Sequence, residues 1–393
     1  MESASPEDMC ANETTNMFGG FEFANFSYPQ KYDPLDFSTA DLVKMVAYGI
    51  VFFVSLIGNL SVVAISAANS HMRSAINAYL VNLAAADICI VLFCMWVHLV
   101  NNLSEPMFVL GAFWCKFNGF AQMTSLTASV LTLTAIACDR FSAIMFPLRT
   151  LRMRGVHRST AIIVLIWLVS AAVALPLLLY RDLMEVQWKD MVEVTCQDSW
   201  PVAHVWDPLL GRCTRTHKHK IAYYTMVTLA LFFAPIGIMG VTYALIIWRL
   251  WVSAVPDIGG TSRVHSQHNA KKKVVKMVVM VVMVFVVCWA PLQVIILFGV
   301  LNKYDRLPEW FSHVEFFAYF LAYSNSLWNP VLYGGFNNAF RKGFSRLFRC
   351  RKPTVVLNDT FRAGNSTLRR LKHLNGHVVQ QSERGKTVVT TRI

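Results

Sequence analysis

Seven long runs of apolar residues, almost free of charge, constrain this chain more than any other feature. They cover 45–69, 76–100, 117–138, 161–180, 221–248, 277–302 and 316–340. Each is near the length of about 20 residues that an α-helix needs to cross a bilayer. Backbone N–H and C=O groups find no water in lipid, so each run must close its hydrogen bonds internally as helix. The expected fold is an all-α membrane protein, a seven-transmembrane helix bundle spanning 42–336. With 55% of its 393 residues hydrophobic, the chain has more apolar surface than a water-soluble fold hides.

Orientation follows from Lys and Arg, which collect in short cytoplasmic connections. Arg140, Arg149, Arg152, Arg154 and Arg158 lie between the third and fourth runs, and Lys271, Lys272, Lys273 and Lys276 precede the sixth. Residues 1–41 carry Lys31 against eight carboxylates from Glu2 to Asp41. The N-terminus is therefore expected outside and the C-terminus inside, in a multi-pass protein of the plasma membrane. The net charge of +13 falls mostly beside the spans, where anionic headgroups explain it, so nucleic acid is not an expected partner. The acidic start lacks a basic segment followed by an apolar core, and the first span is expected to direct insertion. Asn12 and Asn25 open glycosylation triplets on the outward segment.

Cysteines must be judged by the face of the membrane they occupy. Cys89, Cys94, Cys138 and Cys288 fall inside spans and read as small core residues. Cys115 opens the third span, while Cys196 and Cys213 occupy the long connection after the fourth. Cys196 is favoured as the partner of Cys115, because 192–195 alternates like a hairpin strand that could lie across the bundle mouth. Cys213 is the rival partner, or pairs with Cys10. After the seventh span, Phe336, Phe340, Phe344, Leu347 and Phe348 recur at helical spacing among basic residues, which predicts a short amphipathic helix over 337–350 in the headgroup plane. Cys350 follows it as a palmitoylation candidate. Residues 351–393 are polar and aperiodic and are expected to be disordered. Their end, Thr391-Arg392-Ile393, suits a PDZ groove that adds a strand.

An ionisable group inside a span is costly and points to function. Asp87 is the clearest case, with Ser129, Asn325, Ser326 and Asn329 as prospective partners from neighbouring spans. A carboxylate ringed by hydroxyl and amide oxygens suits a hard cation such as sodium; the simpler alternative is a protonated Asp that joins helices. Arg140 can pair with Asp139 as a latch at the inner end of the third span. Pro291, after Cys288-Trp289-Ala290, and Pro330, after Asn329, each remove a helix hydrogen bond and set pivots in the sixth and seventh spans.

These residues, in this order, resemble the rhodopsin-like G-protein-coupled receptors, over about 45–350. The likeness is carried by Gly58-Asn59, Asn82 to Asp87, Cys115, Asp139-Arg140-Phe141, Trp167, Pro235, Tyr243, Phe285, Cys288 to Pro291 and Asn329-Pro330-Val331-Leu332-Tyr333. The resemblance implies a sodium pocket at Asp87, Ser129, Asn325 and Asn329, and a packing switch of Pro235, Val130 and Phe285. It also implies that Trp289 lies beneath the ligand, and that Tyr243 and Tyr333 close on Arg140 when the sixth span swings out. The family has Tyr where this chain has Phe141, which keeps the ion pair and removes a hydroxyl. Partners implied are a heterotrimeric G protein, with receptor kinase and arrestin at the tail.

Within the family, Gln122 stands where aminergic receptors carry Asp, 316–340 lacks the Lys of a retinal protein, and 301–315 lacks the extra Cys common in chemokine-type receptors. Gln122, the long second outward connection and Arg249-Leu250-Trp251 resemble the neuropeptide branch that includes orexin, neuropeptide FF, RFamide and tachykinin receptors. Gln122, Gln293, His98, Tyr319 and Tyr323 offer uncharged hydrogen-bonding groups, and Trp96, Tyr224 and Phe316 offer aromatic surface. They suit an amidated peptide end. Glu315 at the mouth, with Asp182, Glu185, Asp190, Glu193, Asp198 and Asp207 in the second outward connection, would attract a basic ligand. A small non-peptide ligand on the same fold is the alternative. A transporter would show internal repeats, a channel or pump a chain of intramembrane polar groups, and an enzyme a nucleophile–base pair or metal-ligand cluster; none is evident.

Overall fold

The computed structural model describes residues 23–29, 37–69, 74–146, 156–207, 212–252, 262–301, 308 and 310–348, with backbone alone for 156–157, 204–207, 212–216, 251–252 and 262–271. Asn12, Cys10, Cys350 and the terminal Thr-Arg-Ile lie outside these residues. Of two compact units, Met1–Leu347 and Phe348–Ile393, the first holds the bundle.

Helix α1 is Thr39–Ala68, α2 Ala75–Leu103, α3 Gly111–Met145 and α4 Val156–Leu179. Helix α5 comprises Lys218–Thr228, a wide turn Leu229–Phe233 and Ala234–Val252. Helices α6, α7 and α8 are Ser262–Leu301, Trp310–Phe336 and Asn338–Phe348. Six of these are long and apolar enough to cross a membrane. Helix α7 is the more polar one, yet its 27 residues reach about 40 Å at 1.5 Å per residue.

The helices outrun the apolar stretches because polar turns continue the hydrogen-bond ladder past the apolar region. Ser38 starts α1 with a capping box: Asp41 N–H donates to Ser38 Oγ at 3.2 Å and Ser38 N–H donates to Asp41 Oδ2 at 3.2 Å. Pro235 falls in the first turn of the final α5 segment, where a missing N–H is tolerated, directly after the wide turn. A second wide turn, Val91–Met95, interrupts α2. The chain leaves α7 at Asn337, whose Oδ1 accepts from Ala339 N–H at 3.0 Å and so opens α8. The seventh span therefore ends at Phe336, and Phe340 belongs to the short helix.

Helix α3 packs on α2, α4 and α5, while α7 packs on α6 and α1 and α1 on α2. Lipid tails are as apolar as Leu, so helices associate through close packing and polar contacts rather than the hydrophobic effect. Gly58 meets Pro330 so closely that a Cβ there would lie 2.9 Å from Pro330 Cγ. Asn82 Nδ2 donates to Thr132 Oγ1 at 2.7 Å and Trp167 Nε1 donates to Asn82 Oδ1 at 2.8 Å, joining α2, α3 and α4. Asn59 Nδ2 donates to the Ser326 carbonyl at 2.9 Å, joining α1 to α7. Leu42, Val43, Val46, Ile50, Phe53 and Ile57 of α1 point outward and are exposed, as on a lipid-facing wall.

Strands β1, Arg181–Gln187, and β2, Val192–Asp198, form an antiparallel hairpin. Cys196 of β2 is bonded to Cys115 of α3, and Phe108 N–H donates to the Val194 carbonyl, so the hairpin is pinned to the α2–α3 connection. A second hairpin, β3 Ala203–Asp207 and β4 Arg212–Thr216, sets Trp206 opposite Cys213; the Cys213 side chain lies outside the described residues. Residues 23–28 rest on the first hairpin, with Phe23 and Tyr28 rings flanking Trp188 at 4.9 and 5.3 Å. Asn25 lies exposed in this segment.

Candidate functional site

Beneath the first hairpin, the upper turns of α1, α2, α3, α5, α6 and α7 supply a polar and aromatic lining. Residues four apart share a helix face, so α7 presents Glu315, Tyr319 and Tyr323 in one row. Tyr323 hydroxyl donates to Gln122 Oε1 at 3.4 Å. His98 Nδ1 shares a hydrogen bond of 3.0 Å with Tyr48 hydroxyl and packs on Tyr319 at 4.5 Å and Phe316 at 5.7 Å. Thr228 hydroxyl donates to Gln293 Oε1 at 3.0 Å. Trp289, one turn before Gln293 on α6, is 1% exposed, with its indole N–H buried and without a hydrogen-bond partner among the described residues. While Gln293 is held by Thr228 of α5, Gln122, His98, Phe316, Tyr319 and Tyr323 are thus brought together.

Trp96 is not. Its N–H goes to the Leu92 carbonyl of its own helix at 2.8 Å and its ring meets Trp114 at 4.9 Å. Two residues apart on a helix means roughly 200° around it, so His98 and Trp96 cannot face the same cavity. Tyr224 is held by charge rather than offered as bare aromatic surface, for its hydroxyl donates to Asp198 Oδ2 at 2.9 Å.

Most carboxylates of the mouth are already engaged. Asp198 also faces Arg181 Nε at 3.5 Å and Lys220 Nζ at 3.3 Å. Asp182 pairs with Lys116 at 3.2 Å, Glu193 accepts from Trp188 Nε1 at 2.9 Å, and Asp190 accepts from Tyr28 N–H at 2.8 Å. Glu185 is exposed, and the Asp207 side chain is outside the described residues. Half-buried Glu315 has no cation within ion-pair distance among the described residues. The acidic rim therefore reduces largely to Glu315. Sequence reasoning missed Tyr48, Thr228 and Arg181; Arg181, the first residue after the fourth apolar run and Tyr180, carried a detectable signal.

At mid-bundle Asp87 is fully buried. Ser326 Oγ donates to Asp87 Oδ1 at 3.0 Å and Asn329 Nδ2 donates to Oδ2 at 2.7 Å. Ser129 Oγ is buried without a hydrogen-bond partner, and Asn325 is 3% exposed with no hydrogen bond to Asp87. Val130, Phe285 and Pro235 are all buried, and Phe285 lies between Trp289 at 6.1 Å and Phe232 at 6.5 Å.

At the end of the bundle opposite the hairpins, Arg140 Nη2 pairs with Asp139 Oδ2 at 2.5 Å. Arg140 Nε, Tyr243 Oη and Tyr333 Oη are all buried and without hydrogen-bond partners. Leaving such groups unpaired is costly.

Comparison with known proteins converges on one group. Residues 58–333 match the 7 transmembrane receptor (rhodopsin family). The chain is 32% identical to a substance-P receptor of Rattus norvegicus over 304 residues, 77% of this chain and 70% of the relative. It is 33% identical to a QRFP-like peptide receptor of Branchiostoma floridae over 330 residues, 83% of each chain. A neuromedin-K receptor of Rattus norvegicus is 33% identical over 308 residues, 77% of this chain and 63% of that one.

Proposed function

The chain belongs to the rhodopsin family of seven-transmembrane receptors, and from that premise we propose a cell-surface receptor for an extracellular neuropeptide that activates heterotrimeric G proteins. The observation that carries the peptide reading is the lining itself: uncharged donors and acceptors on Gln122, Gln293, His98, Tyr319 and Tyr323, with half-buried Glu315, which has no cation within ion-pair distance among the described residues, at the rim. An amidated C-terminus offers both a donor and an acceptor and no charge. It fits the deep groups, while a basic side chain of the same peptide fits Glu315. The relatives' names as substance-P, neuromedin-K and QRFP-like peptide receptors support this class of ligand.

In this reading the hairpin end faces outward and the Arg140 end faces the cytoplasm, where the basic connections lie. Peptide seated on Trp289 shifts the packing of Phe285, Val130 and Pro235, and the inner half of α6 pivots at Pro291. Arg140 then leaves Asp139 for Tyr243 and Tyr333, opening a G-protein cleft. Asp87, Ser326, Asn329 and Ser129, with Asn325 alongside, fit a sodium ion: one carboxylate, nearby hydroxyl and amide oxygens, and a Ser129 hydroxyl that lacks any other partner. Sodium there would stabilise the resting packing. Receptor kinase and arrestin would act on the tail, Asn12 and Asn25 would carry glycans, and Cys350 a palmitoyl chain. A PDZ-domain protein would take the terminal Ile393.

The test compares amide and free-acid forms of each active peptide on wild type and Glu315→Gln. Weaker acid forms, and a loss of potency in Glu315→Gln confined to basic peptides, are expected. Preference for an acidic or free-acid peptide with Glu315→Gln unaffected would contradict the ligand class while leaving the family membership intact.

A further inference from the structure

Among the described residues of the mouth, Arg181 has a guanidinium that is packed against the wall and left short of hydrogen-bond partners. It opens β1, and its register partner in β2 is Asp198, two residues beyond the Cys196 that is bonded to α3. Its position is therefore fixed by the most constrained part of the connection. On α3, Cys115, Gly119 and Gln122 share a face, and Arg181 lies directly on Gly119. A Cβ at Gly119 would stand 2.7 Å from Arg181 Nη1 and 2.9 Å from Cδ, so a larger residue there would make the Arg181 side chain shift.

The guanidinium carries five N–H donors. Its Nε approaches Asp198 Oδ1 at 3.5 Å, a charge contact, and is buried without a hydrogen bond. No described residue accepts a hydrogen bond from it. Asp198 is meanwhile shared with Lys220 and with the Tyr224 hydroxyl. Two cations thus lean on one carboxylate, leaving a unit of positive charge on this wall. The Arg181 Nη1 sits against Gly119 of α3, one turn above Gln122.

We propose that Arg181, seated on Gly119, is an anion subsite that takes a carboxylate of the bound peptide in the two-point grip a guanidinium offers. This rests on the peptide-receptor reading and deepens it. The ligand then carries both signs, a basic group for Glu315 on α7 and a carboxylate for Arg181 on β1. That carboxylate is an acidic side chain, because the C-terminus of the same peptide enters the deep lining as an amide.

The probes are pools of synthetic hexapeptide amides with one fixed Arg and a second fixed position of Glu, Gln or Lys, plus the Gln pool as free acids. Second-messenger responses are read in cells whose surface labelling matches wild type. The Glu pool should act on wild type at about tenfold lower concentration than the Gln amides, as expected for one charge-assisted contact, and the free-acid Gln pool should not. Arg181→Gln should erase the gap, Arg181→Glu should move the preference to the Lys pool, and Gly119→Ala, which displaces the guanidinium without removing it, should narrow the gap. Equal potency of all pools on wild type, or an unchanged gap in Arg181→Gln, overturns the subsite alone. Silence of wild type toward every pool overturns the peptide-receptor reading together with it.

Discussion

Asn82 should be the most damaging single polar residue to truncate for stability, because one side chain joins three helices. In Asn82→Ala the bonds to Thr132 at 2.7 Å and from Trp167 at 2.8 Å are both lost. Interhelical hydrogen bonds in membranes average about 0.6 kcal/mol and reach about 1.7, so the pair contributes roughly 1–3 kcal/mol. Thr132 keeps a partner, since its hydroxyl still donates to the Ala128 carbonyl at 2.6 Å. The Trp167 N–H loses its acceptor in a non-aqueous setting, which costs about 1–3 kcal/mol more. The combined loss is about 2–6 kcal/mol, or an apparent Tm lower by roughly 5–20 °C at a few degrees per kcal/mol. Trp167→Phe removes one bond and leaves no orphaned donor, so about 1 kcal/mol is expected. Thermal unfolding of detergent-solubilised receptor, followed by a thiol-reactive dye at buried Cys94 and Cys288, measures both. Asn82→Ala within about 2 °C of wild type, less than 1 kcal/mol on the same conversion, would refute the three-helix hub.

Three further outcomes are expected. Cys196→Ser should abolish surface expression or peptide binding, since it releases the hairpin from α3, whereas Cys213→Ser should leave the Cys115–Cys196 bond detectable by peptide mapping. Asp87→Asn should fold, because an amide oxygen still accepts from Ser326, but should lose any dependence of agonist potency on sodium when choline replaces it; an unchanged sodium effect would rule out the site. Arg140→Ala should keep peptide affinity within about threefold, under 1 kcal/mol, while G-protein activation falls to background.

The bundle was legible because lipid imposes a single rule on every span: long, apolar and internally bonded. The first hairpin was legible in the alternation at 192–195, and the cluster of Asp87, Ser326 and Asn329 in the rarity of polar residues at that depth. The second hairpin was not, because β3 and β4 are short and mix charged with apolar residues. Trp96 was assigned to the lining on residue type alone, and helix geometry places it on Trp114. The acidic rim was over-read for a different reason: counting carboxylates by loop does not reveal that Lys116, Lys220, Trp188 and the Tyr28 backbone already engage four of them. Tyr48 and Thr228 carry no signal in an apolar run, where each reads as an ordinary core residue. Their roles depend on which neighbour the packing supplies.

The most direct measurement is G-protein activation in cells expressing the full chain, tested against a panel of amidated neuropeptides beside untransfected cells. At least one peptide should raise nucleotide exchange on a co-expressed G protein in a saturable way, and Arg140→Ala at equal surface level should not respond. Absence of a response to every peptide, with a small non-peptide molecule acting through the same Gln122 and Trp289, would contradict the account.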